Sequence, residues 1–306
     1  MASAAGAKTI LCAGGAVQDI VMRVAAFPQP GSKVQASDVV TTIGGQAGNA
    51  AVTLARLGAR VRYAGPLGGE DDAVANFVCA TLAREGIDIR HAIRVAGGKS
   101  SLSMIMLDAS GEKMLATRRG THLSGVAPRD ADALVEGCDA VLLDNRYPDF
   151  ALPVAAAAAA RGLPRVLDFD YGAPADDALL IASTHVIASA DALHDSTGTR
   201  DLAAGLRALG RPYRGFLAVT NGPEGMFWLE GDAVRHMPAF AVTAIDTLGA
   251  GDAFHGAFTL ALAETGDAVR SLRFASAVAA IKCTRFGGTS GAPTRQEVDA
   301  FLRERG

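Results

Sequence analysis

Asp-Thr-Leu-Gly-Ala-Gly-Asp-Ala-Phe-His-Gly, residues 246–256, heads an apolar, alanine-rich stretch that reads as a helix. The turn Gly249-Ala250-Gly251 can bend tightly and let the backbone approach a ligand. The first amides of a helix lack internal partners, and the helix dipole adds partial positive charge there. Such a terminus holds phosphate oxygens. Asp252, in the first turn, cannot be only an anion binder, because it would repel phosphate. It makes sense as a base that takes a proton from an attacking hydroxyl. Turn and aspartate together point to phosphoryl transfer to an alcohol. The plainer alternative is that Asp252 only caps the helix, a common place for aspartate.

Working outward, strand-like and helix-like runs alternate along the 306 residues. Thr9–Val17 reads as a strand, Ala47–Leu57 as a helix and Val61–Ala64 as a strand. Asp71–Glu85 reads as a helix stopped by Gly86. Ala140–Leu143, Arg165–Phe169, His185–Ala188 and Phe216–Thr220 are short apolar strands of the buried kind. Helices near Phe150–Arg161, Asp176–Ala182 and Arg200–Leu209 lie between them. Two longer helices follow, Gly251–Glu264 and Ala268–Arg285. The run Ala155–Ala160 reads as the tightly packed face of a helix. This alternation predicts a parallel sheet covered by helices on both faces.

Two segments break the rhythm. Residues 19–43 are too long for a simple connection. Ser101–Leu107 and Lys113–Arg118 alternate around a polar turn and read as a hairpin, as do Met226–Leu229 and Ala233–Met237. No linker or repeat divides the chain, so one domain, 1–306, is expected, with insertions at 19–43 and 98–120.

At 49% apolar and 20% charged, the composition is that of a globular protein with ample core. A formal charge of −3 without a basic block argues against nucleic acid or an anionic membrane as partner. No apolar run is long enough to span a bilayer. Residues 1–8 lack a charged leader and cleavage pattern and read as a short tail. Cys12, Cys79, Cys138 and Cys283 are widely spaced in apolar strand or helix contexts, which predicts buried free thiols in a reducing cytoplasm. There is no GxxxxGK[ST] loop, which argues against a Walker-type NTPase.

The run Asp-Thr-x-Gly-Ala-Gly-Asp-x-Phe resembles the C-terminal signature of the ribokinase-like (PfkB) carbohydrate kinases. Gly44-Gly45-Gln46-Ala47-Gly48-Asn49-Ala50-Ala51, followed by Leu54-Ala55-Arg56-Leu57-Gly58, resembles their N-terminal signature. The two occur in the family's order, and the likeness covers nearly the whole chain. It implies a three-layer α/β/α sandwich with a mainly parallel central sheet. The insertions would form a small β-sheet lid, often used for homodimer contacts.

The resemblance also assigns roles. Asp252 would be the base, with the amides of Gly249, Ala250 and Gly251 as the anion hole. Asp19, Gly44, Gly45, Gln46 and Asn49 would bind sugar; Asn49 could equally cap its helix. Thr220, Asn221 and Gly222 would lie along the nucleotide of ATP, with adenine near Ala277, Ala280 and Ile281. Mg²⁺ is implied with ATP, but the family's Asn-x-x-Glu is replaced by Ser189-Ala190-Asp191-Ala192. Asp168 and Asp170, at the end of another strand, could help through water or could equally cap that strand. A monovalent cation such as K⁺ would sit at Asp246 with carbonyls near Leu248, Arg285, Gly288 and Ser290.

Within the family, Pro238-Ala239-Phe240, Phe254-His255-Gly256-Ala257, Arg273-Phe274-Ala275-Ser276 and Lys282-Cys283-Thr284-Arg285 are similar to the 6-deoxy-6-sulfofructose kinases. Lys33 and Arg146 match that subgroup's sulfonate-binding residues, while Thr117 stands where it has Asn. An arginine fork suits an anionic tail. Arg118 and Arg119 read as solvated lid cations. The expected activity is ATP-dependent phosphorylation of a primary hydroxyl on a ketose, sulfofructose first. Fructose 6-phosphate-like and 2-keto-3-deoxygluconate acceptors follow. Neutral ribose, fructose or nucleosides are the alternative, and a non-catalytic sugar sensor is a further class, argued against by the intact Asp252 and glycine turn.

Overall fold

The computed structural model describes residues 6–109 and 111–305. In chain order the first strands are β1 (Thr9–Ala13), β2 (Val17–Arg23), β3 (Asp38–Gly44), β4 (Arg60–Ala64) and β5 (Pro66–Gly68). β6 (Ile93–Val95), β7 (Leu102–Leu107), β8 (Lys113–Arg118), β9 (Ala140–Asp144) and β10 (Arg165–Phe169) follow. The last are β11 (His185–Ser189), β12 (Phe216–Thr220), β13 (Met226–Glu230) and β14 (Ala233–Met237). The helices are α1 (Gln46–Arg56), α2 (Ala73–Arg84), α3 (Ala131–Val135), α4 (Pro148–Ala160) and α5 (Ala178–Ala182). They continue with α6 (Ala190–Thr197), α7 (Leu202–Gly210), α8 (Ala250–Thr265), α9 (Ala268–Cys283) and α10 (Arg295–Glu304).

The main sheet has eight strands in the order β14-β13-β12-β11-β10-β9-β1-β4. From β12 to β4 all neighbours are parallel; β13 and β14 extend one edge as an antiparallel hairpin. Parallel strands are connected by helices that cover both faces, so strands such as β9 and β12 are mainly apolar. β9 is buried along its whole length. One face carries α1, α2, α8, α9 and α10, with Leu54, Leu82, Phe258, Leu272 and Val298 in its core. The other carries α3 to α7, with Leu134, Phe150, Leu180, Leu193 and Leu206. The expected three layers are therefore present.

β1 lies between β4 and β9, so the chain reverses its direction of travel across the sheet there. Ligands of such sheets sit beyond the carboxyl ends of the strands at the reversal. Gly14 and Gly15 follow β1, and Asp144 closes β9. Here the structure corrects one expectation. Thr9–Val17 is not one strand: it breaks at Gly14-Gly15, and Val17 already belongs to the lid.

The lid is a four-stranded sheet in the order β3-β2-β7-β8. Its alternation is resolved by register. Asp19 pairs with Thr42 and Ser103, and Ser103 with Thr117, so these four share the inward face. Met104 pairs with Ile20, and Met106 with Met22 and Met114, on the outward face. Met104, Met114 and Val39 on that outer face are exposed.

Some elements go beyond the sequence reading. β5 and β6 make a small separate sheet. α10 begins with a capping box, in which Thr294 and Glu297 satisfy each other's backbone amides. All four cysteines are free, but only Cys12 and Cys138 are buried, and Cys138 lies in the loop before β9. Of the expected N-terminal tail, residues 1–5 lie outside the described residues, and Lys8 pairs with Asp139 at 3.0 Å. Among the described residues no helix is long and apolar enough to cross a membrane.

Candidate active site

The glycine turn and Asp252 stand at the start of α8. Gly249 is the N-cap residue with φ 72° and no side chain to cap with; Ala250 N, expected in the anion hole, instead donates to Thr247 O at 3.2 Å, which leaves the amides of Gly249 and Gly251 open to a ligand. Asp252 does not cap the helix. Its carboxylate instead accepts a hydrogen bond from Asn49 Nδ2 at 2.5 Å. Thr289 Oγ1 donates to the other end of that amide, at Asn49 Oδ1. Asn49 is thus held at both ends, inside α1 and away from its cap, so the capping alternative falls for both residues. The two helices meet closely because Gly256 faces Ala50; a Cβ there would lie 2.8 Å from Ala50 O. Burial raises the Asp252 pKa, opposed by the Asn49 hydrogen bond. A raised value brings a carboxylate closer to the range where it can accept and return a proton.

Around this pair the loops after β1, β3 and β9 are tied by one buried carboxylate. Asp144 accepts hydrogen bonds from the amides of Gly15 at 2.7 Å, Ala47 at 3.3 Å and Arg146 at 3.0 Å. Gly45 opens α1 with φ 79°, and a Cβ on it would stand 2.7 Å from Gly15 O. Only glycine suits that left-handed conformation and that spacing. Asp19 is buried on the inner lid face, directly over Gly44, where a Cβ would collide with its carboxylate. Burial pushes the Asp19 pKa up to about 6, with a Ser103 hydrogen bond opposing and Asp252 adding to the rise. Thr117 Oγ1 donates to Ser103 Oγ at 3.2 Å, so Thr117 reaches Asp19 only through that serine.

The raised Asp19 pKa carries a stability prediction. A carboxyl whose folded pKa exceeds its unfolded value favours folding below the unfolded value of 3.8 and loses that contribution as pH rises through about 6. At neutral pH the ionised Asp19 therefore costs the protein about 3 kcal/mol at most, since each tenfold change in proton affinity is worth about 1.4 kcal/mol. Asp19→Asn should melt above the wild type at neutral pH and lose that advantage near pH 3.8, read by calorimetry at both.

Other expected residues are placed differently. Gln46 is buried and donates to Asp168 O at 3.5 Å, below the strand ends. Arg146 is half-buried, its guanidinium 5.8 Å from the Tyr147 ring and 5.6 Å from the Tyr171 ring. No ion pair among the described residues engages it. Lys33 is exposed in the loop between β2 and β3, and Arg118 donates to Ser100 O at 2.8 Å. Thr220, Asn221 and Gly222 close β12 and enter a short turn, with Asn221 Nδ2 bonded to Glu224 at 3.0 Å. Ala277 has no exposed surface and packs in the core; Ala280 and Ile281 keep 8% and 7%. The face of α9 expected beneath an adenine thus exposes only the rims of Ala280 and Ile281.

Asp246 was expected to hold a monovalent cation, and its surroundings do not fit one. Oδ1 accepts from Leu248 N at 2.8 Å and lies 3.4 Å from Lys282 Nζ. Oδ2 accepts from Gly287 N at 2.9 Å and Gly288 N at 2.8 Å. Three backbone amides and the neighbouring ammonium thus surround the carboxylate on the sides it offers. Burial pushes the Lys282 pKa down, and Asp246 pulls it back up. For Mg²⁺, no cluster of three or more His, Cys, Asp or Glu side chains suited to a metal occurs among the described residues. Mg²⁺ arriving on phosphates needs few protein ligands. Asp170 is exposed after β10, and its charge is felt by Asp252, so it suits the waters of such an ion.

The model of the pfkB family carbohydrate kinases matches residues 7–295. The chain is a PfkB-family carbohydrate kinase. It is 30% identical to a ribokinase of Haemophilus influenzae over 96% of this chain and 98% of that one. It is 30% identical to an ATP-dependent ribose-1-phosphate kinase of Halopiger xanaduensis, over 97% and 98%. A crystal structure from Agrobacterium tumefaciens, provisionally designated a ribokinase, superposes with a TM-score of 0.93 at 37% identity, covering 98% of this chain and 99% of that one.

The kinase also holds a pair that sequence reasoning missed. His255 Nδ1 lies 2.7 Å from Gly251 O and 3.3 Å from Asp168 Oδ2, and Nε2 lies 3.1 Å from Ile187 O. Burial lowers the His255 pKa and raises that of Asp168, so it favours the neutral form of each. The pair braces the first turn of α8 against β10 and β11. Its mark in the sequence is faint: a histidine three residues after Asp252 and an aspartate at a strand end.

Proposed function

We propose that this kinase transfers the γ-phosphoryl group of ATP to a primary hydroxyl of a sugar, with Asp252 as base. The observation that carries the reading is Asp252, freed from capping and oriented by Asn49, beside the uncapped amides of α8. The hydroxyl oxygen forms a bond to the γ-phosphorus while the bond to the bridging oxygen breaks and ADP leaves. The hydroxyl proton passes to the Asp252 carboxylate. The amides of Gly249 and Gly251 take up charge on the moving phosphoryl oxygens. Mg²⁺ on the phosphates would neutralise further charge there. Asp19, Gly45 and Asn49 face the sugar hydroxyls, and the lid above them excludes water. A sensor would have no use for so oriented a base.

The acceptor we favour is anionic, a sulfofructose-like or phosphorylated sugar. Arg146 supports this: a half-buried guanidinium near two tyrosine rings, without a carboxylate partner among the described residues, suits an anionic tail. The Halopiger relative carries a phosphorylated sugar in its name. The second reading is a neutral sugar, favoured by the ribokinase name of the Haemophilus relative. Under the first, Arg146→Ala should raise KM for an anionic ketohexose or pentose phosphate by roughly tenfold or more, and hardly change that for ribose. Coupled ADP-release assays on a sugar panel decide it. A wild type that prefers ribose or fructose to every anionic analogue refutes the anionic reading.

The apolar outer face of the lid, with Ile20, Val39, Met104 and Met114, supports pairing of two lids in a homodimer. Four free cysteines support a reducing, cytoplasmic setting.

A further inference from the structure

We infer that the Lys282 ammonium is a monovalent cation built into this kinase, standing beside Asp246 where the family resemblance implies potassium, so that turnover needs no such ion. Lys282 and Asp246 both have 0% of their surface exposed. Lys282 Nζ donates to Asp246 O at 2.7 Å and lies 3.4 Å from Oδ1 of the same residue. One buried positive and one buried negative charge cancel. A potassium ion added there would meet a carboxylate already surrounded by Leu248, Gly287, Gly288 and Lys282. It would also leave one net positive charge in a low dielectric, next to an ammonium.

The position explains what the charge does. Asp246 lies three residues before Gly249, and its Oδ1 holds the amide of Leu248, the residue before that turn. The backbone amides of Ile245 and Asp246 are bonded to Cys283 O, at the end of α9, at 2.7 and 3.1 Å. Oδ2 gathers Gly287 and Gly288, which lead to Thr289 and so to Asn49 and Asp252. Lys282 thus fastens the segment entering the glycine turn to the segment that orients the base. It is a positioning residue: it touches neither the sugar nor phosphate.

The inference rests on the proposed function only where rate is read; the charge count stands without it. The test compares potassium chloride with choline chloride at equal ionic strength, on turnover and on the melting temperature. The wild type is expected to be indifferent in both. Lys282→Ala removes the ammonium, leaves space, and strands the Asp246 charge. It should melt lower and turn over slowly in choline chloride, and recover part of both in potassium chloride. A several-fold gain in wild-type turnover, or a clear rise in its melting temperature, with potassium overturns the inference. So does a folded Lys282→Ala protein that matches the wild type in choline chloride. If Lys282→Ala does not fold, the wild-type comparison decides alone. If no sugar is turned over in either salt, it is the functional reading that fails, and melting still reports on the cation.

Discussion

Asp252→Asn is expected to remove nearly all turnover while ATP binding stays close to that of the wild type. The substitution keeps the side chain's shape and an oxygen that can still accept the Asn49 amide, so the contact between α1 and α8 survives. What goes is the ability to take a proton. Loss of a general base costs ~10²–10⁴ in rate. Single-turnover assays with the purified variant read the chemical step, and calorimetric titration reads nucleotide affinity. Near-wild-type turnover would remove Asp252 from the mechanism.

Gly251→Val should be almost as damaging, for a different reason. A Cβ at Gly251 meets nothing within 4 Å, so the protein itself has room for a side chain there. The branch would project into the space beside the first amides of α8, where phosphate must approach closely. Activity and ATP affinity should therefore fall together while the melting temperature hardly changes. Unchanged affinity and turnover would reduce the turn to a structural role. The contrast with Gly45 is instructive: substitution there, at φ 79° and 2.7 Å from Gly15 O, would strain the fold before it touched any ligand.

The layered fold is legible in the sequence because burial on both sides leaves a plain mark. β9, β10, β11 and β12 are short, mainly apolar runs whose ends can be read to within a residue. The lid announces itself as a break in that rhythm. The end of β1 is harder to read because apolar residues continue from the core strand into β2, and only Gly14-Gly15 marks the change of sheet. α10 is quieter still, although Thr294 and Glu297 stand at capping-box spacing in front of it. Within the site, the glycine turn and Asp252 are readable because their chemistry is local. Pairings across the chain are not. Nothing in the sequence brings Lys282 to Asp246, His255 to Asp168, or Thr289 to Asn49. A small residue on a helix also does not say whether it faces ligand or core, which is why Ala277 turns out to pack inside.

Asn49 and Asp252 are 203 residues apart in the chain, and Asn49 and Thr289 are 240 apart. The hydrogen bonds that orient the base therefore join an early part of the polypeptide to be synthesised with a late one. Contacts of such separation form late, because the intervening chain must first be ordered. A nascent chain still short of Thr289 already has every strand of the main sheet and both glycine-rich loops, but only one of the two hydrogen bonds that hold the Asn49 amide. Copies ended or clipped before that threonine should thus hold the base more loosely: its full set of supports is complete only when synthesis has passed it.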